Sequence, residues 1–228
     1  GQDKLPSPAE IQKRIDDALK EVNRQMSTYQ TDSEISQFNQ LRTVNQAMPI
    51  SQDFAYVTGE ALRLNKLTHG ALDVTVGPLV NLWGFGSQKE ITQEPTAQEI
   101  QHASEMVGTD KLKLSQNGQQ PTLAKTHPEV YLDLSSIAKG FGVDKTAAEL
   151  EKLNIGNYLV EIGGELHGKG HNAQGNPWRI GIEQPNIVQG GATQITIPLD
   201  NKSLATSGDY RIFHVDKSGR RLYHISLL

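Results

Sequence analysis

The chain has 228 residues, of which 36% are hydrophobic and 21% are charged, a balance typical of a globular protein with a buried core. Its net charge of −4 disfavours a broad phosphate-binding surface, so we expect no nucleic-acid partner. The absence of cysteine excludes disulfides, thiolate chemistry and cysteine-ligated zinc, and no apolar run approaches the roughly 18 residues of a membrane-spanning helix. The chain begins at Gly1 instead of a methionine, so we expect a mature or trimmed product.

Helical patterns dominate the first half of the chain. A capping box at residues 7–10, with proline at the first helical position, predicts a helix that continues to about Met26. After a polar stretch, either Asp32 or Ser33 is expected to cap a short second helix through residues 35–38. Both helices carry apolar residues at helical spacing, which predicts that each buries one face.

Two further helices are predicted before the middle of the chain. Ser51 opens the first, whose apolar face reaches Leu67, and Gly70 fits its C-terminal cap. A second capping box at residues 96–99 opens a helix that is expected to stop near Gly108.

A stretch between these helices, residues 70–86, is rich in glycine and unusually apolar for a loop. Small residues around Asp73 would let a ligand approach the backbone closely. The simpler interpretation is a buried strand at residues 72–76, followed by a helical turn that Pro78 starts. The two interpretations are compatible.

The second half of the chain carries mainly strand patterns. The predicted strands are residues 112–114, 129–134, 158–162, 165–167, 178–183, 193–197, 203–206, 210–215 and 221–225. We expect residues 129–134 to run into a helix that ends near Gly156, residues 163–164 to bend a strand, and residues 168–173 to form a β-turn. Helices followed by consecutive strands predict an α+β fold with a mostly antiparallel sheet packed with helices.

The junction at residues 133–140 gathers Asp133, two serines and Lys139 where the predicted strand enters its helix. Helix N-terminal N–H groups attract phosphate, and a lysine adds positive charge, so one hypothesis places a phosphorylated ligand and its metal here. The alternative is that Asp133 is an ordinary helix cap and Lys139 a solvated side chain. This octapeptide by itself favours the alternative.

Common catalytic motifs are absent from the sequence. No Walker loop, zinc-ligand spacing of histidines or Gly-x-Ser-x-Gly elbow is present. The glycines at residues 168–170 superficially fit a dinucleotide fingerprint, but they precede Pro177 and not a helix. Generic motifs therefore leave the junction at residues 133–140 as the one suspect site.

Several stretches, in order, resemble those of the ApbE family, the FAD:protein FMN transferases. They are residues 26–39, 70–86, 133–140, 160–165, 205–211 and 223–225. The resemblance runs from about Ser7 to Ile225 and implies a single domain over residues 1–228 with an ApbE-like, T-fold-related architecture. Each stretch alone is weak evidence, whereas their common order is strong evidence.

The resemblance implies a Mg²⁺-dependent cleavage of the FAD pyrophosphate. FMN would be joined through its phosphate to a threonine hydroxyl of an acceptor flavoprotein, and AMP would leave. The implied acceptors are subunits of sodium-pumping quinone reductase or related electron-transfer complexes. Two alternatives stay open: an FAD pyrophosphatase that yields FMN and AMP, and an inactive FAD-binding module. Family members are usually periplasmic lipoproteins anchored to the inner membrane, which is the location that the resemblance implies.

The resemblance also implies roles for individual residues. Tyr29, for which the sequence without the resemblance favours an ordinary surface residue, would stack on or flank the flavin. Ser136 matches the position whose backbone oxygen binds the metal, and His224 matches the residue that activates the acceptor hydroxyl as a base. The remaining FAD contacts implied are Ala71, Leu72, Asp73, Asp133 and Lys139.

The chain departs from the family pattern at both ends. The family's first strand, with Met-Gly-Thr, is not present before the first helix, and the segment Ile-Asp-Pro-x-Thr-Gly does not follow His224. That later segment supplies the aspartate and threonine side chains that hold the metal in the family. We therefore expect the flavin-binding residues to be present and metal binding by this chain to be weak.

Overall fold

The computed structural model describes residues 6–86, 94–116, 118, 120–183, 193–208, 213–215 and 219–223. The helices in this part of the chain are α1 (Pro8–Met26), α2 (Glu34–Gln40), α3 (Gln52–Leu67), α4 (Gly77–Leu82), α5 (Ala97–Glu105) and α6 (Ser135–Lys152). The strands are β1 (Met48–Pro49), β2 (Leu112–Ser115), β3 (Thr122–Lys125), β4 (Tyr158–Ile162), β5 (Glu165–Lys169), β6 (Trp178–Glu183), β7 (Thr193–Leu199), β8 (Lys202–Leu204), β9 (Phe213–Val215) and β10 (Arg221–Tyr223). None of the helices described is long and apolar enough to cross a membrane.

Side-chain caps determine where the helices begin, as the sequence predicts. Ser7 and Glu10 form a reciprocal capping box, with the Ser7 N–H donating to Glu10 Oε2 over 2.8 Å. Ser33, not Asp32, caps α2, and its hydroxyl oxygen accepts from the Ser36 N–H over 3.2 Å. The second capping box, at residues 96–99, is also present at the start of α5. The predicted helix starts are therefore confirmed.

The end of α3 differs by one residue from the prediction. Thr68 is the cap, and His69 follows it in the left-handed region with φ of 54°. The Gly70 N–H donates to the Asn65 carbonyl over 2.8 Å, and the His69 N–H donates to the Lys66 carbonyl over 3.3 Å. This pair of bonds is a Schellman motif in which histidine, not Gly70, takes the position that usually falls to glycine.

The strands form several small sheets. Their orders are β1-β3-β2, β4-β5-β8, β6-β7 and β10-β9. Each pair whose register is described is antiparallel. Strand β3 was not predicted, because its last residue, Lys125, looks like the end of a polar turn although it is buried to 1% exposure. The predicted mostly antiparallel arrangement is therefore present, but as separate small sheets.

Two predicted strands are wrong. Residues 129–134 form no strand, although Val130, Leu132 and Leu134 are all buried. Residues 72–76 form a turn, and only the helical turn at Pro78, now α4, is confirmed. Apolar composition predicted burial correctly in both places, but burial does not require a strand partner when side chains or turns satisfy the backbone.

The glycine pair at residues 163–164 reverses the chain instead of bending a continuous strand. Both glycines have positive φ, 57° at Gly163 and 94° at Gly164, which a two-residue hairpin turn requires. The hairpin pairs Ile162 with Glu165 and continues to Lys169. The predicted β-turn at residues 168–173 is displaced, since β5 includes residues 168–169 and the turn closes with the Gly175 N–H on the Asn172 carbonyl.

The chain separates into two compact units. Unit 1 comprises residues 1–21 and 139–213, and unit 2 comprises residues 22–138 and 214–228. In unit 1, α6 and β4 share an apolar cluster, on which side chains of α1 also pack. Its buried members are Val143, Ala147, Leu150, Tyr158 and Val160. In unit 2 the fully buried side chains come mainly from α2, α3, β3 and residues 130–134. The single-domain prediction stays a prediction.

Candidate functional site

Asp73 closes a tight turn after α3 in unit 2. Its Oδ1 accepts from the Thr75 N–H over 2.8 Å and from the Thr75 hydroxyl over 2.5 Å. Thr75 is buried, and its hydroxyl oxygen accepts from the Gly108 N–H over 2.6 Å. The carboxylate of Asp73 is therefore held by one oxygen, in a turn that is itself fastened to the end of the α5 segment.

Asp133 makes the same local arrangement at the start of α6. Its Oδ1 accepts from the Ser135 N–H over 2.8 Å and from the Ser135 hydroxyl. The Leu134 carbonyl accepts the first helical bond, from the Ala138 N–H over 2.7 Å. Asp133 therefore does bind the helix N-terminus, as the capping alternative requires, but this uses only one of its two oxygens.

The two aspartate turns are neighbours. The Asp133 N–H donates to the Val74 carbonyl over 2.8 Å, and this bond joins the two loops within unit 2. Among the described contacts, the Oδ2 atoms of Asp73 and Asp133 accept no hydrogen bond. Two half-buried carboxylates therefore lie on adjacent turns, each with one oxygen committed to its own loop. The sequence signal for this pair is an aspartate followed two residues later by a hydroxyl.

The loop at Ala71 and Leu72 is fixed by polar side chains of α3. The Asn65 amide donates to the Leu72 carbonyl over 2.7 Å, and the Leu72 N–H donates to the Thr68 hydroxyl oxygen over 3.1 Å. Ala71 is exposed and adds only a methyl group. Asn65 and Thr68 were not predicted as site residues, since they look like ordinary polar residues at a helix end.

Asn39 holds the segment that leads to Asp133. Its side-chain amide donates to the Leu132 carbonyl over 2.9 Å, and the Leu132 N–H donates to Asn39 Oδ1 over 2.7 Å. These bonds take the place of the strand neighbour that the sequence predicted for Leu132. Sequence reasoning missed Asn39, because no local pattern links position 39 to position 132.

Tyr29 lies in the turn between α1 and α2, and its side chain is 66% exposed. Its N–H donates to the Ser27 hydroxyl oxygen over 3.3 Å, which orders the turn. The described contacts bring Asp73 and Asp133 together but place Tyr29 in this separate turn. Its exposed ring suits either interpretation, a surface residue or a plate for a planar ligand.

Lys139 belongs to unit 1 and is held by the β4–β5 hairpin. Its Nζ lies 2.8 Å from Glu165 Oε2 and donates to the Gly163 carbonyl over 3.3 Å. The lysine side chain is about half exposed, whereas the Glu165 side chain is mostly buried. Lys139 is therefore not a freely solvated side chain. Sequence reasoning gave the glycine pair no role and missed Glu165, although both lie in residues 160–165, one of the stretches that resemble the family.

The ApbE family model matches residues 2–226.

The chain belongs to the ApbE family.

Relatives and solved structures of ApbE proteins agree with this assignment. The FAD:protein FMN transferase of Haemophilus influenzae is 53% identical over 210 residues, which cover 92% of this chain and 60% of that protein. The protein of the same description in Vibrio cholerae is 49% identical over 215 residues, 94% of this chain and 62% of that one. The structure of the flavin transferase ApbE from Vibrio cholerae has a TM-score of 0.86 at 45% identity, covering 99% of this chain and 69% of that chain. This chain thus spans about 60% of the length of the curated ApbE relatives.

The ApbE comparison confirms the predicted α+β fold. Ser136 is exposed in the first turn of α6. His224, the expected base, lies outside the described residues, as does the strand end after Tyr223. The paired strands β9 and β10 precede it. In β9, His214 Nε2 lies 3.2 Å from the Gly84 carbonyl oxygen, and the His214 ring lies 4.4 Å from the Phe85 ring.

The described residues give an ApbE magnesium site only partial support. Carbonyl and carboxylate oxygens, the ligands that Mg²⁺ prefers, are present at Ser136, Asp73 and Asp133. No group of three or more histidine, aspartate or glutamate side chains that could hold a metal ion occurs among the residues described. The donor chemistry therefore fits Mg²⁺, but the described side chains do not form a metal cage.

Proposed function

We propose that this protein is an FAD:protein FMN transferase, which moves FMN from FAD to a threonine hydroxyl of an acceptor flavoprotein and releases AMP. The observation that carries the proposal is the pairing of the Asp73 and Asp133 turns in a chain 53% identical to a relative named for this activity. The alternative is that Asp133 acts only as a helix cap. That role uses Oδ1 of Asp133 and accounts neither for its second oxygen nor for the neighbouring Asp73.

The proposed chemistry is a displacement at the FMN phosphorus of FAD. A bond forms from the threonine oxygen to this phosphorus, and the bond from the phosphorus to the bridging oxygen breaks, so that AMP leaves with that oxygen. The threonine proton passes to a base, for which His224 is the proposed residue, because an imidazole titrates near neutral pH. Such a transfer depends mainly on positioning and on neutralising charge.

The carboxylates have a recognisable task in this scheme. Asp73 and Asp133 carry negative charge, so they would not face the pyrophosphate but would accept hydrogen bonds from nucleotide hydroxyl or amino groups through their uncommitted oxygens. Each carboxylate is already oriented by its own loop before a ligand arrives, which lowers the entropy cost of binding. Ala71 and Leu72 would line the same region with small surface and backbone.

Family resemblance proposes Lys139, in unit 1, as a cationic contact of FAD. Its ammonium group is oriented by Glu165 and by the Gly163 carbonyl, and it is partly exposed. An ammonium with three donors can keep the Glu165 contact and still contact a phosphate or hydroxyl of FAD. Tyr29 would flank the flavin ring through its exposed face.

Mg²⁺ is part of the proposal. The Ser136 carbonyl would supply one oxygen ligand, and a bound magnesium ion would neutralise pyrophosphate charge. Family resemblance also suggests a cellular location and an acceptor. We propose a periplasmic protein anchored as a lipoprotein to the inner membrane, acting on subunits of sodium-pumping quinone reductase or related electron-transfer complexes. Both proposals rest on family resemblance.

The test is an incubation of the complete gene product with FAD, Mg²⁺ and an acceptor domain that carries the target threonine. Covalent FMN on the acceptor, seen as in-gel flavin fluorescence and as the matching mass increase, supports the transferase. FMN and AMP released equally with and without acceptor would support a pyrophosphatase instead. Intact FAD after the incubation would leave only a binding module and overturn the proposal.

Substitution of the proposed base separates binding from transfer. The His224→Ala variant is expected to bind FAD as the parent protein does but to lose transfer. A matched control is His102→Ala, since His102 is an exposed residue of α5. Transfer that continues unchanged in His224→Ala would remove the assignment of the base without affecting the proposal for the FAD-binding residues.

A further inference from the structure

The segment that carries Asp133 is buried but belongs to no described sheet. Val130 and Leu132 are exposed by only 1% and 0%, so their peptide groups cannot be satisfied by bulk water. In a strand, a neighbouring main chain would supply the missing donors and acceptors. Here the Val130 N–H donates to the main-chain carbonyl of His127, but both groups of Leu132 and the Val130 carbonyl bond to side chains. The identity of those side chains therefore matters for the path of the segment.

Asn39 supplies both bonds to Leu132. The side-chain amide has one carbonyl oxygen and one NH₂ group, the same pair of functions as a peptide group. With distances of 2.9 and 2.7 Å it clamps the N–H and the C=O of one residue, which fixes the position and the tilt of that residue together. Asn39 is itself buried to 8% exposure in the last turn of α2.

Lys125 supports the clamp from the end of β3. Its Nζ donates to the Val130 carbonyl over 3.0 Å and to the Asn39 carbonyl over 3.3 Å, and it lies 5.2 Å from the centre of the Phe38 ring. The lysine thus joins the end of α2 to the beginning of the Asp133 segment. Desolvation of the buried ammonium, with a smaller effect of Arg42, lowers the pKa of Lys125 to about 8.

The next residue after the clamp is Asp133. Its N–H bonds to the Val74 carbonyl, so the peptide between Leu132 and Asp133 is held at both ends. Since the Cα–Cβ direction of Asp133 follows from this backbone path, a shift of Leu132 would turn the carboxylate away from the turn of Asp73. Ser135 fixes Asp133 Oδ1 only relative to α6 and cannot compensate for such a shift.

We infer that Asn39 is a positioning residue, braced by Lys125, that sets the Asp133 carboxylate in place for the ligand. The inference deepens the proposed function and rests on it in one respect, that Asp133 contacts FAD. It assigns Asn39 no contact with FAD. A purely stabilising role for Asn39 would instead lower the stability of the protein without a specific link to Asp133.

A double-mutant cycle on FAD affinity distinguishes these two roles. In the complete gene product, Asn39→Ala is expected to weaken FAD binding by about tenfold, the scale expected when a contact is displaced. In an Asp133→Ala background the same change should add little, because the residue that Asn39 positions is no longer there. Full additivity of the two losses, or unchanged affinity in Asn39→Ala, would overturn the inference. KM for FAD should follow the affinity, with a smaller effect on kcat.

Two further variants serve as controls for a general loss of stability. Ile35→Val, in the same helix and fully buried, should lower the melting temperature but leave FAD affinity unchanged. Asn39→Ser keeps a small polar side chain without adding a charge to the core, but it is too short to bond to both groups of Leu132. It should repeat the cycle with a folded protein if Asn39→Ala does not fold.

Amide hydrogen exchange tests the clamp independently of FAD. Leu132 and Asp133 should exchange faster in Asn39→Ala than in Ile35→Val, while β4 and β5 in unit 1 exchange at the parent rate. Failure of the parent protein to bind FAD would overturn the proposed function, and the exchange rates would still show whether Asn39 holds Asp133. Equal exchange at Leu132 in both variants would overturn the clamp itself.

Discussion

Lys125 shows how a charged residue can be accommodated in a core without a carboxylate partner among its described contacts. Its ammonium group bonds to two main-chain carbonyls and lies near an aromatic ring. These dipoles offset only part of the cost of removing the charge from water, which is why the pKa of Lys125 falls from 10.5 to about 8. The residue therefore links stability to pH.

The sign of that link gives a prediction. Between pH 8 and 10.5 the folded protein has lost the Lys125 proton, whereas the unfolded chain retains it. Raising the pH through this range penalises the unfolded state, so stability rises, by up to about 3 kcal/mol from this residue. In urea denaturation, the difference in unfolding free energy between the parent and Lys125→Met should grow in favour of the parent from pH 7.5 to pH 10.

A suitable control for this measurement is Lys113→Met in β2, where the lysine is exposed and donates to Asn45 Oδ1 over 2.8 Å. The difference in unfolding free energy between the parent and Lys113→Met should stay nearly constant from pH 7.5 to pH 10. A constant difference for Lys125→Met as well would contradict the pKa assigned to Lys125.

Two buried threonines should respond oppositely to the same substitution. The Thr58 hydroxyl in α3 is buried and makes no hydrogen bond within the described part of the chain, whereas the Thr146 hydroxyl in α6 donates to the Gly142 carbonyl over 2.9 Å. Thr58→Val is expected to stabilise the protein by about 1 kcal/mol, and Thr146→Val to destabilise it by a similar amount. Urea denaturation of both variants checks this, and a loss of stability in Thr58→Val would reveal a hydroxyl partner.

At the scale of elements, local chemistry made the helix starts predictable. A cap such as Ser33 bonds to a residue three positions away, so the whole interaction is visible in a short stretch of sequence. The Leu132 segment is the opposite case, because its partner, Asn39, is distant in the chain. Its apolar composition predicted burial but could not indicate whether a strand or a side chain satisfies the backbone. The same limit explains why residues 72–76 were assigned to a strand.

The candidate site was predictable to the same extent. Family resemblance predicted Asp73 and Asp133 as FAD contacts, which stays a prediction, and the structure places their turns next to each other. It could not identify Thr75, whose role depends on the distant Gly108 N–H, or Glu165, whose role depends on the hairpin geometry that the glycine pair creates. Residues that hold a candidate ligand contact in place are thus harder to predict than the candidate contact itself.

Two helical glycines provide a matched test at the element scale. A Cβ added to Gly77, at the start of α4, would lie 2.2 Å from Cδ1 of Tyr131, whereas one added to Gly140 in α6 meets nothing within 4 Å. Gly77→Ala should therefore cost about 1–3 kcal/mol through displacement of the tyrosine ring. Gly140→Ala should stabilise its helix by about 0.5–1 kcal/mol. Thermal denaturation measures both, and equal effects at the two positions would contradict the contact with Tyr131.

At the scale of the whole molecule, the α+β arrangement followed from the order of patterns along the chain, helices first and strands later. The division into two units did not, because residues 1–21 belong with residues 139–213. The α1 stripe that contains Ile11 and Ile15 packs on the cluster of α6 and β4, a pairing between distant parts of the sequence. No change in amino-acid composition along the sequence marks the boundaries of these units.

Binding of FAD should raise the thermal stability of the protein. If FAD binds the folded state alone, a ligand concentration 100-fold above Kd stabilises that state by about 2.7 kcal/mol. We expect the midpoint of thermal unfolding of the protein to rise by about 5–10 °C with FAD. Scanning fluorimetry with and without FAD measures the shift, which Asp133→Ala should reduce. A shift of equal size in that variant would argue against Asp133 as an FAD contact.

The side-chain clamp on Leu132 also has a consequence for evolution. A peptide paired with another strand depends on main-chain atoms, which nearly every amino acid supplies, so substitution of the neighbour seldom breaks the pairing. Leu132 depends on a function that the side chain at position 39 must supply with the right length and both hydrogen-bonding roles. Position 39, remote in sequence from Asp133, should therefore tolerate far fewer amino acids in a saturation screen than positions in the β4–β5 ladder.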